Sequence, residues 1–591
     1  MEENDLIKVT TVTTEECEKA IKKEKEDIFE ENQDAEICNL IAIDTETEAF
    51  DKKLGITPRN AKMIGLSLSQ DGVLADYSTD KKSWAFLMPD DEQTVIFHNA
   101  KFDFGVLRRA GLPVPQKFED TLIASHLLDE NNAHGLKLLA KKHLGINDPV
   151  TFNEADKMRL LDPEVFAEYA RNDARYTFRL WEKFRTELDK QELKEVYEME
   201  KQLLPVVMAM ETHGMKIDTD SLAAISLEVK AESARLKSEI FDLAGMEFEL
   251  NKPLSVGVVL FDKLGLKCPK QTAKGARSVD SESLKEIAHP LAVKILEYRS
   301  IDKLANTFIK VLPKFADENG RIHPEFKPLG AATGRFSCAD PNVQQIPNKS
   351  ELGKAVRRAF ICDAGNKLIV ADFSQMELRV LAHYSQDETL LKAYCTGGET
   401  DLHTITAQKI FAKEDVDKNE RGIAKMINFG IAYGITDVGL YRRLTATGIT
   451  TTQGECKRYI DDYFKTYKGV HKFLKKVKET IQKRGYVKNF FGRRRRLKGF
   501  SSREIRQAQN FIIQATSADL VKRAMVALAG KLPEGAQLIS MIHDELIIEC
   551  RSDHAEAVLK IVVEVMQDTP EGFTVPMPVD AKIVDCWADA K

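Results

Sequence analysis

Asp44 and Glu46, two positions apart in the apolar run NLIAIDTETEAF, are the first residues that could do chemistry together. In an extended strand, positions i and i+2 project to one face, so both carboxylates can reach one divalent cation. Asp103 follows a second apolar run in VIFHNAKFDFGVL, and EYARNDARYTF carries Tyr169 and Asp173 one helical turn apart. Four acids from three separate segments suit two Mg2+ ions. Held about 4 Å apart, such ions activate a water and stabilise the leaving oxygen in phosphodiester hydrolysis. Tyr169 could position that water. Acids at strand ends are also common solvated residues, and it is the three segments in this order that favour the metal reading.

A second pair of acids lies far down the chain. KLIVADFSQMELRVLAHYS reads as a buried strand ending at Asp372, followed by a helix from about Gln375. In QLISMIHDELIIEC, two apolar strand runs are interrupted by His543, Asp544 and Glu545, which read as a tight hairpin tip. A turn can hold any acid, but Asp372 together with Asp544 would make a metal pair for nucleotidyl transfer. Two Mg2+ ions there would hold a triphosphate and lower the pKa of an attacking hydroxyl.

Between these acids sits RGIAKMINFGIAYG. Arg421, Lys425, Phe429 and Tyr433 recur every four residues and share one broad helix face, with Ile423, Ile427 and Ile431 behind. Two cations one turn apart suit a triphosphate, and Phe429 offers a flat surface to a sugar or base. His403, in DLHTITA, reads by itself as structural. The run GRRRRLKGF (Gly492–Phe500) is by default a solvated face; followed by a helix carrying Arg503 and Arg506, it also fits template or primer phosphates.

The elements that must position these groups follow from hydrophobic spacing. Short strand-length runs (Leu40–Ile43, Thr94–Phe97) alternate with helical spacing (Leu122–Leu128, Phe166–Phe184), which predicts an α/β domain over 37–192. Helices are expected at Val196–Met210, Ser221–Leu243 and Leu291–Leu312. Strands are expected at Lys367–Ala371, Leu538–Ile542 and Leu546–Cys550, around a helical region from Glu377 to about Lys483. That pattern is a helical subdomain growing out of one sheet. Residues 1–36, rich in Glu and Lys, read as a lead-in.

With 591 residues the chain is long enough for about four domains, which excludes a single small binding module. No apolar run reaches the ~18 residues a membrane helix needs. A formal net charge of −6 excludes a histone-like coat but leaves room for a local basic cleft. Nine cysteines without a C-x-x-C pair give neither a zinc site nor a disulfide framework, and a reducing compartment is expected.

The segments D-x-E, N-x-x-x-D and Y-x-x-x-D resemble the 3′–5′ proofreading exonucleases with an RNase H-like fold. ATGRFSCADPNVQQIP, DFSQMELR, RGIAKMINFGIAYG, QATSADLVKRA and IHDE resemble family A DNA polymerases, in that family's order. The resemblance implies a multi-domain α/β protein: an exonuclease domain (37–192) and then a right hand. The hand would comprise a thumb (193–325), a palm (326–382 and 501–591) and fingers (383–500). It implies that Asp372 and Asp544 bind the polymerase metals, and that Arg421, Lys425 and His403 contact the triphosphate. Glu377 would be the sugar gate and Tyr433 would guard the insertion site. Arg335, Gln344, Asn510, Gln514 and His543 would touch primer, template or minor groove.

Primer–template DNA and deoxynucleoside triphosphates are the implied ligands of a monomer, with a helicase, primase or processivity factor as candidate further partners. Ala515 departs from the family's usual glycine. The short stretch before Asp44 leaves no room for a 5′-nuclease domain, which resembles phage or organelle replicative members. A single-subunit RNA polymerase would disfavour Glu377 and rarely keeps the exonuclease acids. A catalytically silent scaffold would not need every metal acid.

Overall fold

The structure is a computed structural model that describes residues 39–51, 59–147, 149–272, 275–348, 350–395 and 401–590. The expected lead-in over 1–36 lies outside the described residues. The chain divides into two compact units, Met1–Glu192 and Leu193–Lys591.

The N-terminal unit is built on five strands: β1 (Leu40–Ala49), β2 (Ala61–Ser69), β3 (Asp76–Ser78), β4 (Thr94–Phe97) and β5 (Phe118–Asp120). Their order is β3–β2–β1–β4–β5; β1, β4 and β5 are parallel, and β2 pairs antiparallel with both β1 and β3. β1 therefore lies in the middle of the sheet. It runs on well past Ile43, because antiparallel pairing to β2 continues to Ala49. Asp44 and Glu46 thus lie inside a strand and not at its end. Two helices complete the frame: α1 (Ala100–Ala110) and the long α2 (Pro163–Lys190), which starts with proline at its first position, where the missing N–H costs nothing. The apolar stripe of α2 (Phe166, Ala170, Ala174, Phe178, Trp181) is buried.

The C-terminal unit opens with helices α3 (Lys194–His213), α4 (Thr219–Ala244) and α5 (Pro290–Leu304). The helical run expected to reach Leu312 is broken: after α5 the backbone takes a π-helical turn at Ala305–Ile309. The unit's sheet contains β6 (Asn366–Phe373), β7 (Ala536–Ile542), β8 (Glu545–Arg551) and β9 (Val579–Val584), ordered β7–β8–β6–β9 and antiparallel throughout. Of the three strand runs predicted from the sequence, β6 and β8 are the inner pair and β7 lies at an edge. Between β6 and β7 the chain makes the helical excursion, which includes α6 (Met376–Ser385), α7 (Lys418–Ala432) and the thirty-residue α8 (Ser502–Lys531). Capping boxes start both long elements, Asp417 with Glu420 for α7 and Ser501 with Glu504 for α8, and satisfy the first free N–H groups. The seven cysteines among the described residues are all free thiols. No described helix is long and apolar enough to cross a membrane.

Two candidate active sites

In the N-terminal unit, β1 and α2 bring three acids together. Oxygens of Asp44, Glu46 and Asp173 all lie within 4.8 Å of one another. Asp103, in the first turn of α1, is buried beside them. One of its oxygens is occupied by Thr45, whose hydroxyl donates to Oδ1 at 2.6 Å and whose backbone N–H does so at 3.3 Å. Tyr169 is buried one turn before Asp173, as its helical spacing requires. The structure thus gathers the acids named from sequence, with Asp44, Glu46 and Asp173 as the tight trio.

Lys137 was not anticipated. Its Nζ bonds Asp173 Oδ1 and lies 4.0 Å from the centroid of the Tyr169 ring. The available signal was a single cation inside the apolar run GLKLL.

Burial and crowding raise every carboxyl here. Asp44 is pushed up to about 7, first by burial and then by the charge of Asp173, with Lys137 pulling the other way. Burial raises Glu46 and Asp103 well above the carboxylate range, helped by the Asp44 charge. Burial also raises Asp173 against the pull of Lys137. One lysine does not balance four acids. Glu46 Oε1 is buried with no hydrogen-bond partner, and the donors are all oxygen. That set fits a hard divalent cation.

In the C-terminal unit, strand register joins acids 172 positions apart. Asp372, near the end of β6, pairs with Glu545 on β8 and with Asp580 on β9. The β7–β8 turn is made by His543 and Asp544 alone, with His543 at φ +61°. The expected three-residue tip is therefore shorter. Glu545 is 2% exposed and already in the strand, and Trp587 Nε1 donates to its Oε1 at 2.7 Å. Phe373 N–H donates to the Asp544 carbonyl at 3.3 Å, which fixes Asp544 beside Asp372. Asp372 and Asp544 both line one cavity, where each offers carboxylate oxygens, the donor type that suits a hard cation.

After Asp372 the chain turns sharply through Gln375 (φ +52°), and Glu377 falls in the first turn of α6. Its carboxylate is clamped from both sides: Arg335 Nη2 donates to Oε1 and the Tyr433 hydroxyl to Oε2. A cavity of about 500 Å³ is lined by Asp372, Asp544, Glu377, Arg335, Gln344, Phe429, Tyr433 and His543, among others. Gln344 is buried, its amide donating to the Met541 carbonyl at 3.2 Å.

Helix α7 has the predicted faces. Arg421 and Lys425 are exposed, Phe429 is half-buried, and Ile423, Ile427 and Ile431 are in the core. Only its Phe429 and Tyr433 end reaches the cavity; Arg421 and Lys425 lie outside the lining. Arg421 Nε pairs with Asp401 at 2.5 Å. His403 is buried against Phe429, ring centroids 5.7 Å apart, and burial lowers it to about 4, so it is neutral at pH 7. Asn428 Nδ2 donates to its Nδ1 at 3.0 Å, which leaves the proton on Nε2 as a donor. On α8, Arg506, Asn510 and Gln514 form a half-buried stripe at four-residue spacing, and Gln514 Nε2 donates to Asn510 Oδ1 at 3.3 Å. This stripe also lies outside the cavity lining, whereas Ser517, Ala518 and Val521, farther along α8, belong to it. Ala515 is fully buried.

The four-arginine run is not a uniform solvated face. Arg493 is 2% exposed and ion-paired with Asp519 and Glu200 inside the unit. Only Arg494–Arg496 form the outer strand of a hairpin with Tyr486–Lys488. A buried partner elsewhere in the chain outweighs the exposure a charge run suggests.

Residues 219–589 match DNA polymerase family A, and residues 20–189 match a 3′–5′ exonuclease family. The chain belongs to DNA polymerase family A, with an exonuclease domain before the polymerase domain. Among its relatives, DNA polymerase I of Treponema pallidum is 36% identical over 530 residues, covering 85% of this chain and 52% of that protein. The thermostable DNA polymerase I of Thermus aquaticus is 38% identical over 506 residues, covering 83% of this chain and 57% of that protein. The chain therefore spans a little over half the length of these relatives. The POL domain of Pol1 from M. smegmatis, solved in complex with DNA primer-template and dNTP, superposes with a TM-score of 0.82 at 25% identity. That match covers 93% of this chain and 96% of the other.

Proposed function

We propose that the C-terminal unit is a template-directed DNA polymerase that adds deoxynucleotides to a primer 3′-OH, and that the N-terminal unit is its 3′–5′ proofreading exonuclease. The reading is carried by the cavity where strand register sets Asp372 beside Asp544 and where Glu377 is clamped by Arg335 and Tyr433. Asp372 and Asp544 would hold two Mg2+ ions; Asp44, Glu46, Asp103 and Asp173 would hold another two. Bound there, such ions supply charge neutralisation and lower the pKa of a hydroxyl or water.

The chain's own groups do the rest. Arg421 and Lys425, in register on α7, and the neutral His403 through its Nε2–H, would bind triphosphate oxygens. Phe429 and Tyr433 would flank the sugar and base. Clamped Glu377 would exclude a 2′-hydroxyl. Arg506, Asn510 and Gln514 would track the DNA on α8, with Gln344 and His543 at the primer end. Primer–template DNA and deoxynucleoside triphosphates are the ligands this requires, and the M. smegmatis complex supports that choice.

Primer extension with deoxy- or ribonucleotides, with and without Mg2+, tests the reading. Mg2+-dependent extension restricted to deoxynucleotides and lost in Asp372→Ala is expected. Extension unaffected by Asp372→Ala would overturn it.

A further inference from the structure

Beneath the cavity lies a buried ion network that the chemistry above does not use. Arg493, Asp519, Glu200 and Lys522 are each no more than 2% exposed. The Arg493 guanidinium grips Asp519 through Nε at 3.1 Å and Nη2 at 2.7 Å, and Nη2 also bonds Glu200. Lys522 Nζ completes the set with Glu200 at 2.5 Å. Two cations and two anions make it neutral, which is how buried charges are tolerated.

The network touches one loop at three points, and that loop carries Arg335. Lys522 Nζ donates to the Pro328 carbonyl at 2.9 Å and lies 5.3 Å from the centroid of the Phe336 ring. Arg493 lies against Gly334: a Cβ on that glycine would sit 2.8 Å from the guanidinium Cζ and Nε. Gly334 also has φ +75°, so both its backbone conformation and the close approach require glycine. The next residue, Arg335, reaches Glu377. Asp519 and Lys522 alternate along α8 with Ser517, Ala518 and Val521, which line the cavity. One stretch of helix therefore carries both network and cavity wall, with Lys522 one turn beyond Ala518.

We propose that Arg493, braced by Asp519, Glu200 and Lys522, is a positioning residue: it holds the Pro328–Phe336 loop so that Arg335 meets Glu377 at the polymerase site. The inference rests on the polymerase reading. Arg493 touches no reacting atom and acts through Arg335. Lysine at this position keeps the charge but loses the planar fork that grips Asp519 and covers Gly334.

A double-mutant cycle on the full chain decides it. Single-turnover extension is measured for wild type, Arg493→Lys, Arg335→Ala and the double variant, with thermal melting of each. Misplacing a positioned group by about 1 Å can cost on the order of 100-fold in rate. Arg493→Lys should therefore slow extension by about 10- to 100-fold in the wild-type background and by less than about twofold when Arg335 is already alanine. The same factor in both backgrounds would overturn the proposal, because a purely structural role adds independently. Gly334→Ala, which pushes on the loop and leaves the network's charges in place, should give the same non-additive result; it keeps the test valid if Arg493→Lys does not fold. Wild-type protein that fails to extend primers at all would refute the polymerase reading, which is a different failure from an additive cycle.

Discussion

Glu377 should set the choice between ribo- and deoxynucleotides, and the structure says how firmly. Its side chain is 13% exposed and both carboxylate oxygens are held, one by Arg335 and one by Tyr433. A carboxylate held on both sides cannot swing aside for a 2′-hydroxyl. Forcing an extra group into a packed site costs about 1–3 kcal/mol, which is roughly 5- to 150-fold in relative efficiency. Glu377→Ala removes the obstacle and should raise ribonucleotide efficiency, relative to the matching deoxynucleotide, within that range. Overall rate should fall as well, because Arg335 and Tyr433 lose their common partner. Tyr433→Phe is the finer perturbation: it removes one clamp of two and leaves the carboxylate held by Arg335. Its discrimination should relax by no more than about tenfold, since the group stays in place and only gains freedom. Single-turnover extension across a concentration series of each nucleotide gives the ratios. A Glu377→Ala ratio within about twofold of wild type would refute the gate. A larger effect from Tyr433→Phe than from Glu377→Ala would refute the clamp.

Three further outcomes are expected. Asp44→Ala with Glu46→Ala should abolish 3′ trimming of a mismatched primer and leave extension near normal, while Asp372→Ala should do the reverse; gel assays of both activities on each variant check this. Phe429 lines the cavity without a hydroxyl, so Phe429→Tyr should raise dideoxynucleotide use by about tenfold or more, a charge-assisted bond being worth ~1.5–3 kcal/mol; competition between dideoxy- and deoxynucleotides measures it. The raised carboxyls of the N-terminal unit bind protons more tightly folded than unfolded. Their contribution is present at low pH and is lost as pH rises from the ordinary Asp value of 3.8 through about 7 for Asp44. Chelator-treated protein should therefore lose stability across that window, and Mg2+ should restore it at neutral pH in wild type but not in Asp44→Ala/Glu46→Ala. Calorimetric melts that coincide with and without Mg2+ would count against a metal site there.

Local periodicity decided much of this protein before any tertiary contact was known. The two-residue spacing of Asp44 and Glu46 and the four-residue spacing from Arg421 to Tyr433 fix shared faces by backbone geometry alone, and both faces are present in the structure. The apolar runs around Asp372 and Asp544 likewise announced their strands. Periodicity does not specify partners. Asp372 meets Asp544 only because β6 pairs with β8 in one register, and a shift of a single residue would have turned the side chain to the other face. The Arg335–Glu377–Tyr433 clamp joins three segments far apart in the chain, so no local spacing could reveal it. Lys137 entered the acidic cluster from the apolar run GLKLL, and Arg493, one of four identical neighbours, was drawn inside by Glu200 and Asp519. In each case the deciding term is the cost of burying a charge, which is met or not met by a partner that only the folded chain supplies.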